Sequence, residues 1–363
     1  MITSLQTLNA IVVVFICWAL TWCALTASAS VLPAANPIAT PAPSSEAKPP
    51  PAEIVEPHDA SLPPIAHQIV GGVFNIIAAD RDSFTSIGSR FGESPALIAR
   101  DNDKQIGDRL HAGDTIHIDN RHIVPLEASD LIEVNLPQRM LFHFEDGRLS
   151  AAYPVAIGQP GKQWQTPVGS FTVIQMRENP TWSPPASIQR EDEEEGKPVV
   201  GEIGPGPTNP LGKYWIGLSF PIVGIHGTNH PFTVYSYLTH GCVRLNPHDI
   251  EALFHAVDLN DRGETVYEPL MLARFDDGRI FLESERDIYR KGTGGIGGVR
   301  ARAQAAGIDS QIDWFRAQAV VNDQDGIARD VTLKSERAER APADPIMPAR
   351  SEKVVSVAIQ ASR

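Results

Sequence analysis

Three histidines, one cysteine and three glycines lie within residues 224–245, and this stretch constrains the chain more than any other. His226 lies sixteen positions before Cys242, and Gly241 directly precedes the cysteine. A thiol attacks only after it loses its proton, and a nearby imidazole can accept that proton. A glycine frees the backbone to point N–H groups at a reacting carbonyl. The stretch therefore predicts a nucleophilic Cys242 with His226 as its base.

The same residues carry a resemblance to a known family. His-Gly-Thr-Asn at 226–229 and Thr-His-Gly-Cys-Val-Arg-Leu at 239–245 resemble the active-site motif of the L,D-transpeptidases, the YkuD domain. That motif usually has Ser where this chain has Thr239, which keeps the hydroxyl group. The resemblance implies acyl transfer on peptidoglycan stem peptides through an acyl-thioester on Cys242, with release of D-alanine. The acyl group would then pass to an amine of another stem peptide or of an anchored lipoprotein.

The resemblance also implies catalytic roles for the residues around the cysteine. The backbone carbonyl of Gly227 would orient His226. His240 would stabilise the oxyanion together with the backbone N–H groups of Gly241 and Cys242. No metal and no organic cofactor is needed for this chemistry.

Arg244 carries a fork-shaped, permanently charged guanidinium group that suits a carboxylate. It would hold a substrate carboxylate or brace the loop, and both interpretations stay open. The other candidate substrate-binding residues are Thr239, Asn229, Tyr214 and Trp182.

Three alternatives compete with transpeptidation. Attack of water on the same thioester would make the protein an L,D-carboxypeptidase or an amidase. A zinc site could be built from soft and borderline ligands, namely His226, His230, His240 and Cys242. A wall-binding protein with an idle catalytic domain is the non-enzymatic alternative.

The first 29 residues have the pattern of an export signal. Residues 11–25 are nearly all apolar, and Ala27-Ser28-Ala29 is a small-x-small cleavage site. Because residues 1–10 contain no Lys or Arg, an uncleaved membrane anchor stays open. We therefore expect a location in the periplasm or cell envelope. Cleavage would leave Cys242 as the single cysteine, and hence as a free thiol.

The net charge of −13 argues against nucleic acid as a partner. Residues 30–68 are rich in Pro and Ala and predict an extended linker. Residues 69–124 predict a strand, a helix over 83–91 capped by Asp82, a second helix over 95–101 and a strand over 115–118. This order resembles LysM, a small α+β module that binds glycans containing N-acetylglucosamine. Arg81 stands where that family usually has Gly, and a packing module without glycan affinity is the alternative.

Residues 129–292 predict the catalytic domain, a mostly β, YkuD-like β-sandwich with a buttressing helix. Short strands alternate with turn signals such as Asp146-Gly147, and a helix begins at Asn246-Pro247. Residues 179–212 are irregular and predict a lid whose acidic run, 191–195, is a solvated loop. Residues 293–363 predict a largely disordered tail, with a helix expected over 312–321.

Overall fold

The computed structural model describes residues 65–125, 131–161, 163–198 and 200–334. The predicted export signal, most of the linker and the chain after residue 334 lie outside the described residues. Within the described residues, no helix is both long enough and apolar enough to cross a membrane.

The first described unit has the predicted strand–helix–helix–strand order, flanked by two short strands. Its elements are β1 (Ile69–Val70), β2 (Val73–Ile77), α1 (Phe84–Phe91), α2 (Pro95–Asp101), β3 (Thr115–Asp119) and β4 (His122–Ile123). Strands β2 and β3 pair antiparallel, as do β1 and β4. Phe84 and Ile87 of α1 pack with Ile98 of α2 and Ile116 of β3 to form the core of the unit.

Helix α1 is capped by Ser83 and not, as predicted, by Asp82. The Ser83 hydroxyl accepts from the Ser86 N–H at 3.1 Å, and the Ser86 hydroxyl accepts from the Ser83 N–H at 2.9 Å. This reciprocal capping box satisfies two N–H groups at the helix start. The Asp82 carboxylate instead accepts from the Ala79 N–H and from Arg90.

Arg81 adopts φ +67°, a left-handed conformation that favours glycine. LysM modules usually have Gly at this position, and the backbone of this chain has the conformation that favours Gly there, although the residue is Arg. Strand β2 leaves Val73 and Ile77 exposed to solvent. Glycan binding by this unit stays a prediction.

The second unit is a closed sheet with two helices. Its elements are β5 (Leu131–Asn135), β6 (Met140–Glu145), β7 (Arg148–Gly158), β8 (Gly169–Glu178), α3 (Ala186–Glu194), β9 (Tyr214–Leu218), β10 (Gly224–His226), β11 (Tyr237–Thr239), β12 (Val243–Leu245), α4 (Pro247–Ala256) and β13 (Arg262–Val266). The strand order is β11-β7-β12-β10-β9-β8-β13-β5-β6, and β6 also pairs with β7, so the sheet closes on itself. Most pairings are antiparallel, which confirms the predicted mostly β class.

Two predicted local features are present, and one detail differs. Asp146 and Gly147 both have positive φ, which matches the tight turn between β6 and β7. Helix α4 begins at Pro247 and buries Ile250 against the sheet. The Asn246 side chain makes no capping hydrogen bond to this helix, and its Nδ2 donates to the Ser89 carbonyl of α1 at 2.8 Å.

The third unit as a whole was not predicted, although its helix α6 (Trp314–Asp323) confirms the helix expected over 312–321. It comprises β14 (Leu270–Arg274), β15 (Ile280–Ser284), α5 (Gly295–Ala305), α6 (Trp314–Asp323) and β16 (Arg329–Asp330). The strands form a separate sheet in the order β14-β15-β16, so β14 and β15 lie within the predicted catalytic domain of residues 129–292 but outside its sheet. The expectation of a disordered tail is wrong over residues 293–334. Helix α5 begins in a glycine-rich run and buries only Val299 and Ala303, so its amphipathic signal is weak.

A buried polar cluster joins the three units. His122 of β4 contacts Glu283 of β15 through Nδ1 at 2.9 Å and the Gly92 carbonyl through Nε2 at 2.7 Å. Gln138 donates to the same Glu283 carboxylate at 2.9 Å. Burial acts to lower the pKa of His122, but the charge and hydrogen bond of Glu283 outweigh burial and raise it. Since both ring nitrogens carry protons toward acceptors, this ring has no lone pair for a metal.

Glu133 predicts a measurable dependence of stability on pH. It is 7% exposed and lies opposite Glu264 on parallel strands β5 and β13. Burial, then the charges of Glu268 and Glu264, raise its pKa to about 8. The folded state thus binds this proton more tightly than the unfolded state, and stability falls as pH rises from about 4.5 to about 8.

We expect Glu133→Gln to be more stable than the wild type by ~2–4 kcal/mol at pH 9 and nearly equal to it at pH 4. Urea unfolding at both pH values measures the difference. Glu194→Gln, an exposed carboxylate, is the matched control. Equal pH dependence in Glu133→Gln and the wild type would contradict the assignment.

Candidate active site

Parallel pairing of β10 with β12 brings the two halves of the motif together. His226 lies opposite Arg244, and Ile225 lies opposite Val243. Side chains alternate along a strand, so Cys242, two residues before Arg244, shares the face of His226. All three line one groove of about 410 Å³. The structure therefore places the predicted nucleophile and base on one wall of one groove.

His226 is buried and fixed in one tautomer. Its Nδ1–H donates to the Gly227 carbonyl at 2.6 Å, the contact that the resemblance implied. A carbonyl only accepts, so Nε2 keeps its lone pair. The ring stacks on Trp215 with a centroid distance of 5.9 Å. Burial, aided by the charge of Arg244, lowers the pKa of His226 to about 3, against a smaller effect of the Gly227 hydrogen bond. The imidazole is therefore neutral at neutral pH, and Nε2 carries no proton.

Cys242 is a half-buried free thiol. Its Sγ–H donates to the Ile222 carbonyl at 3.8 Å. Burial raises the pKa of the thiol, and a backbone hydrogen bond at Gly224 and the charge of Arg244 offset only part of that effect. The resting pair is thus a protonated thiol and a neutral imidazole.

Ile222 is a groove residue that the sequence did not indicate. It has φ +57°, which is an outlier for a β-branched residue, and its side chain is 81% exposed. The strained turn between β9 and β10 directs the carbonyl of Ile222 at the thiol. Strain of this kind is common where a loop is held for function.

The turn before the cysteine is closed by Thr239. Its hydroxyl donates to the Cys242 carbonyl at 2.6 Å and accepts from the Gly241 N–H at 3.3 Å. Gly241 has φ +109°, which explains why a glycine stands there. Since the Gly241 N–H is engaged with Thr239, it is not free to stabilise an oxyanion in this conformation.

His240 contacts a residue that lies far away in sequence. Its Nε2 is 2.6 Å from Oε2 of Glu191, and its ring edge packs on Trp164. Residues 191–194 of the acidic run, which was predicted as a solvated loop, form the C-terminal part of helix α3, and the Glu191 side chain reaches His240 from that helix. Forty-nine residues separate the two partners, so no local pattern could reveal the contact.

The groove is cationic. Arg244 donates from Nη1 to the Thr233 hydroxyl at 3.0 Å, while its buried Nε has no hydrogen-bond partner among the described residues. Arg177 also lines the groove, and no Asp or Glu does so within the described part of the chain. This charge favours a ligand that carries carboxylates.

Of the three remaining residues predicted to bind substrate, one lines the groove and two lie outside it. Trp182 lines the groove. Tyr214 does not: it is 2% exposed, and its hydroxyl donates to Glu251 at 2.9 Å. Because successive side chains of β9 point to opposite faces of the sheet, Trp215, the neighbour of Tyr214, faces the groove instead. Asn229 also lies outside the groove, where its Nδ2 donates to the Thr208 carbonyl at 3.2 Å.

The alternative zinc set does not converge. Among the described residues, the single group with metal-ligand spacing is His122, Glu283 and Glu285. His226 uses Nδ1 for Gly227, and His240 uses Nε2 for Glu191.

Comparison with known proteins gives the same class. Residues 129–267 match the family model of the YkuD L,D-transpeptidase catalytic domain. The probable L,D-transpeptidase ErfK/SrfK of Salmonella typhimurium is 28% identical over 233 residues, which are 63% of this chain and 74% of the relative. The probable L,D-transpeptidase YbiS of Escherichia coli is 31% identical over 47% of this chain and 56% of the relative.

Solved structures are similar at lower identity. A crystal structure of an Enterococcus faecium L,D-transpeptidase is 21% identical, with a TM-score of 0.29, over 39% of this chain and about half (51%) of its own. L,D-transpeptidase 3 of Mycobacterium tuberculosis is 15% identical, with a TM-score of 0.30, over 57% of this chain and 98% of its own.

The match over residues 129–267 and the relatives named as L,D-transpeptidases thus support an enzyme of the YkuD L,D-transpeptidase class.

The left-handed turn before the cysteine can be tested with a matched pair of glycines. Gly241 and Gly278 both have positive φ, and neither is crowded by neighbours. We expect Gly241→Ala and Gly278→Ala each to lower the free energy of unfolding by roughly 1–2 kcal/mol. Only Gly241→Ala should also slow acylation of Cys242, by about 100-fold, because it displaces the sulfur. Thermal unfolding and acylation rates measure both effects, and equal loss of activity in the two variants would contradict the assignment.

Proposed function

We propose that this protein is a cysteine-dependent L,D-transpeptidase that acts on peptidoglycan stem peptides through an acyl-thioester on Cys242. One observation carries the proposal. A thiol and a neutral imidazole of fixed tautomer share one face of one groove.

In the first step, Nε2 of His226 takes the thiol proton as Sγ of Cys242 attacks the peptide carbonyl carbon. The Sγ–C bond forms, and the C–N bond to the terminal D-alanine breaks. His226 gives its proton to the leaving amine and returns to the neutral form. The oxyanion that forms on the attacked carbonyl accepts hydrogen bonds from the backbone N–H of Cys242 and from Nδ1 of His240.

The walls of the groove support a peptide ligand with free carboxylates. Arg177 and Arg244 supply two guanidinium groups without a carboxylate partner among the described residues. Trp182, Trp215 and Ile188 supply apolar walls for the peptide backbone and side chains.

In the second step, an amine of another stem peptide or of an anchored lipoprotein attacks the thioester. Attack by water would give the L,D-carboxypeptidase or amidase alternative. We further propose that the enzyme works in the cell envelope, where peptidoglycan lies. The export-signal pattern of the first 29 residues supports this location.

The experiment is intact-mass analysis of the protein after exposure to a tetrapeptide donor or to a carbapenem. We expect one covalent adduct in the wild type and none in Cys242→Ala or Cys242→Ser, with unchanged thermal unfolding in the variants. Product analysis with and without an acceptor amine then separates transfer from hydrolysis. An adduct that persists in Cys242→Ala would contradict the proposal.

A further inference from the structure

The turn between β9 and β10 lies directly beside the sulfur of Cys242. The carbonyl oxygen of Ile222 is 3.8 Å from Sγ, so bond lengths place the Cα of Ile222 within about 6.5 Å of the sulfur. In the same turn, the Val223 side chain lies beside Gly241. Ile222 also lines the groove. An acyl group on Cys242 therefore forms next to this residue.

The turn places Ile222 where glycine is the usual residue. Pro221 precedes it, and the Val223 N–H donates to the Phe220 carbonyl at 3.4 Å, which closes a four-residue turn. A turn with Pro at its second position and a positive φ at its third has the pattern of type II, whose third residue is ordinarily Gly or Asn. Ile222 has φ +57° there, and among the described residues it is the one β-branched residue with a positive φ.

The side chain of Ile222 adds nothing to the core that would offset this strain. It is 81% exposed, whereas the next residue, Val223, is 7% exposed and packs in the core of the catalytic domain. A left-handed conformation is costly for a β-branched residue, and such strain is common at functional sites. An apolar side chain held in the open beside a nucleophile indicates contact with a bound ligand.

We propose that the Ile222 side chain packs against the acyl group on Cys242 and keeps water from the thioester, so that it selects an amine over water as the acceptor. The inference rests on the proposed function and decides between its transfer and hydrolysis alternatives. An amine arrives on a peptide that the groove binds, whereas water needs only open space beside the carbonyl carbon. Exclusion of water is a known means of protecting a reactive intermediate from hydrolysis.

The two reactions differ only in the attacking atom. In transfer, the amine nitrogen bonds to the thioester carbon, the bond from that carbon to Sγ breaks, and His226 moves the amine proton to the sulfur. In hydrolysis, a water oxygen takes the place of the nitrogen. Both reactions consume the same thioester, so the ratio of their products does not depend on how fast the thioester forms.

This product ratio is the test. The protein is incubated with a tetrapeptide donor and a second stem peptide that carries a free amine, and mass spectrometry quantifies both products. We expect Ile222→Gly to lower the ratio of transfer to hydrolysis about tenfold. Ile222→Asn, which puts a polar side chain at the same place, should lower the ratio as well. Ile222→Val, which stays apolar and β-branched, should keep most of it.

Thermal unfolding separates this role from a structural one. Gly and Asn adopt the left-handed conformation readily, so Ile222→Gly and Ile222→Asn should melt at or above the wild-type temperature. A lower melting temperature in both variants would show that the side chain serves the fold, and it would overturn the inference.

Two matched controls lie outside the groove. Gln324→Gly relieves a φ of +48° at the end of α6, and Ile174→Ala shortens an aliphatic side chain that is 61% exposed. Both should keep the wild-type ratio. If Ile222→Gly keeps it too, or if the wild type hydrolyses the thioester despite the amine, the inference is overturned while acylation of Cys242 stands. A wild-type protein that forms no adduct overturns the proposed function as well.

The lifetime of a carbapenem adduct gives a second readout that needs no acceptor. Water is then the nucleophile that releases Cys242, so intact-mass analysis over time follows hydrolysis alone. We expect the adduct of Ile222→Gly to disappear about tenfold faster than that of the wild type. Equal lifetimes would overturn the inference.

Discussion

The parallel pairing of β10 with β12 is the constraint on which the active site depends. It joins residues eighteen positions apart in the chain and sets His226 opposite Arg244. Because side chains alternate along strands, the same register turns Cys242 toward the groove. A slip of one residue in either strand would place His226 on the opposite face of the sheet from Cys242 and Arg244. The closed sheet and α4, which packs Ile250 under this pair, hold the register.

Burial then decides the protonation of the catalytic pair. Water is excluded from His226 by Trp215 and by the strand itself, so the charged imidazolium is disfavoured. The same effect keeps the proton on Cys242. Cys242 and His226 therefore form no ion pair at rest, and under the proposed mechanism charge would develop only when the substrate reacts. Hydrogen-bond donors that are already in place for the oxyanion matter more in such a site than in one that starts from a thiolate.

The sequence was sufficient where contacts are local or follow from a motif. The His226–Gly227 contact, the Asp146-Gly147 turn and helix α4 were all predicted, since each depends on neighbours in the chain. The contact of Glu191 with His240 was missed because it joins distant segments. Tyr214 was predicted to bind substrate, whereas Trp215 lines the groove. An apolar run does not show which of its residues point to which face of a buried strand. The third unit as a whole was missed because each of its two helices buries only two residues, although the helix over 312–321 was predicted.

The most direct test of the central claim is the pH dependence of Cys242 alkylation by iodoacetamide, with Cys242→Ala as the blank. A protonated thiol beside a neutral imidazole predicts slow alkylation at pH 7 and a rate that rises only above the ordinary thiol pKa of about 8.5. Rapid alkylation that persists down to about pH 5 would show a preformed thiolate–imidazolium pair, and it would contradict the account.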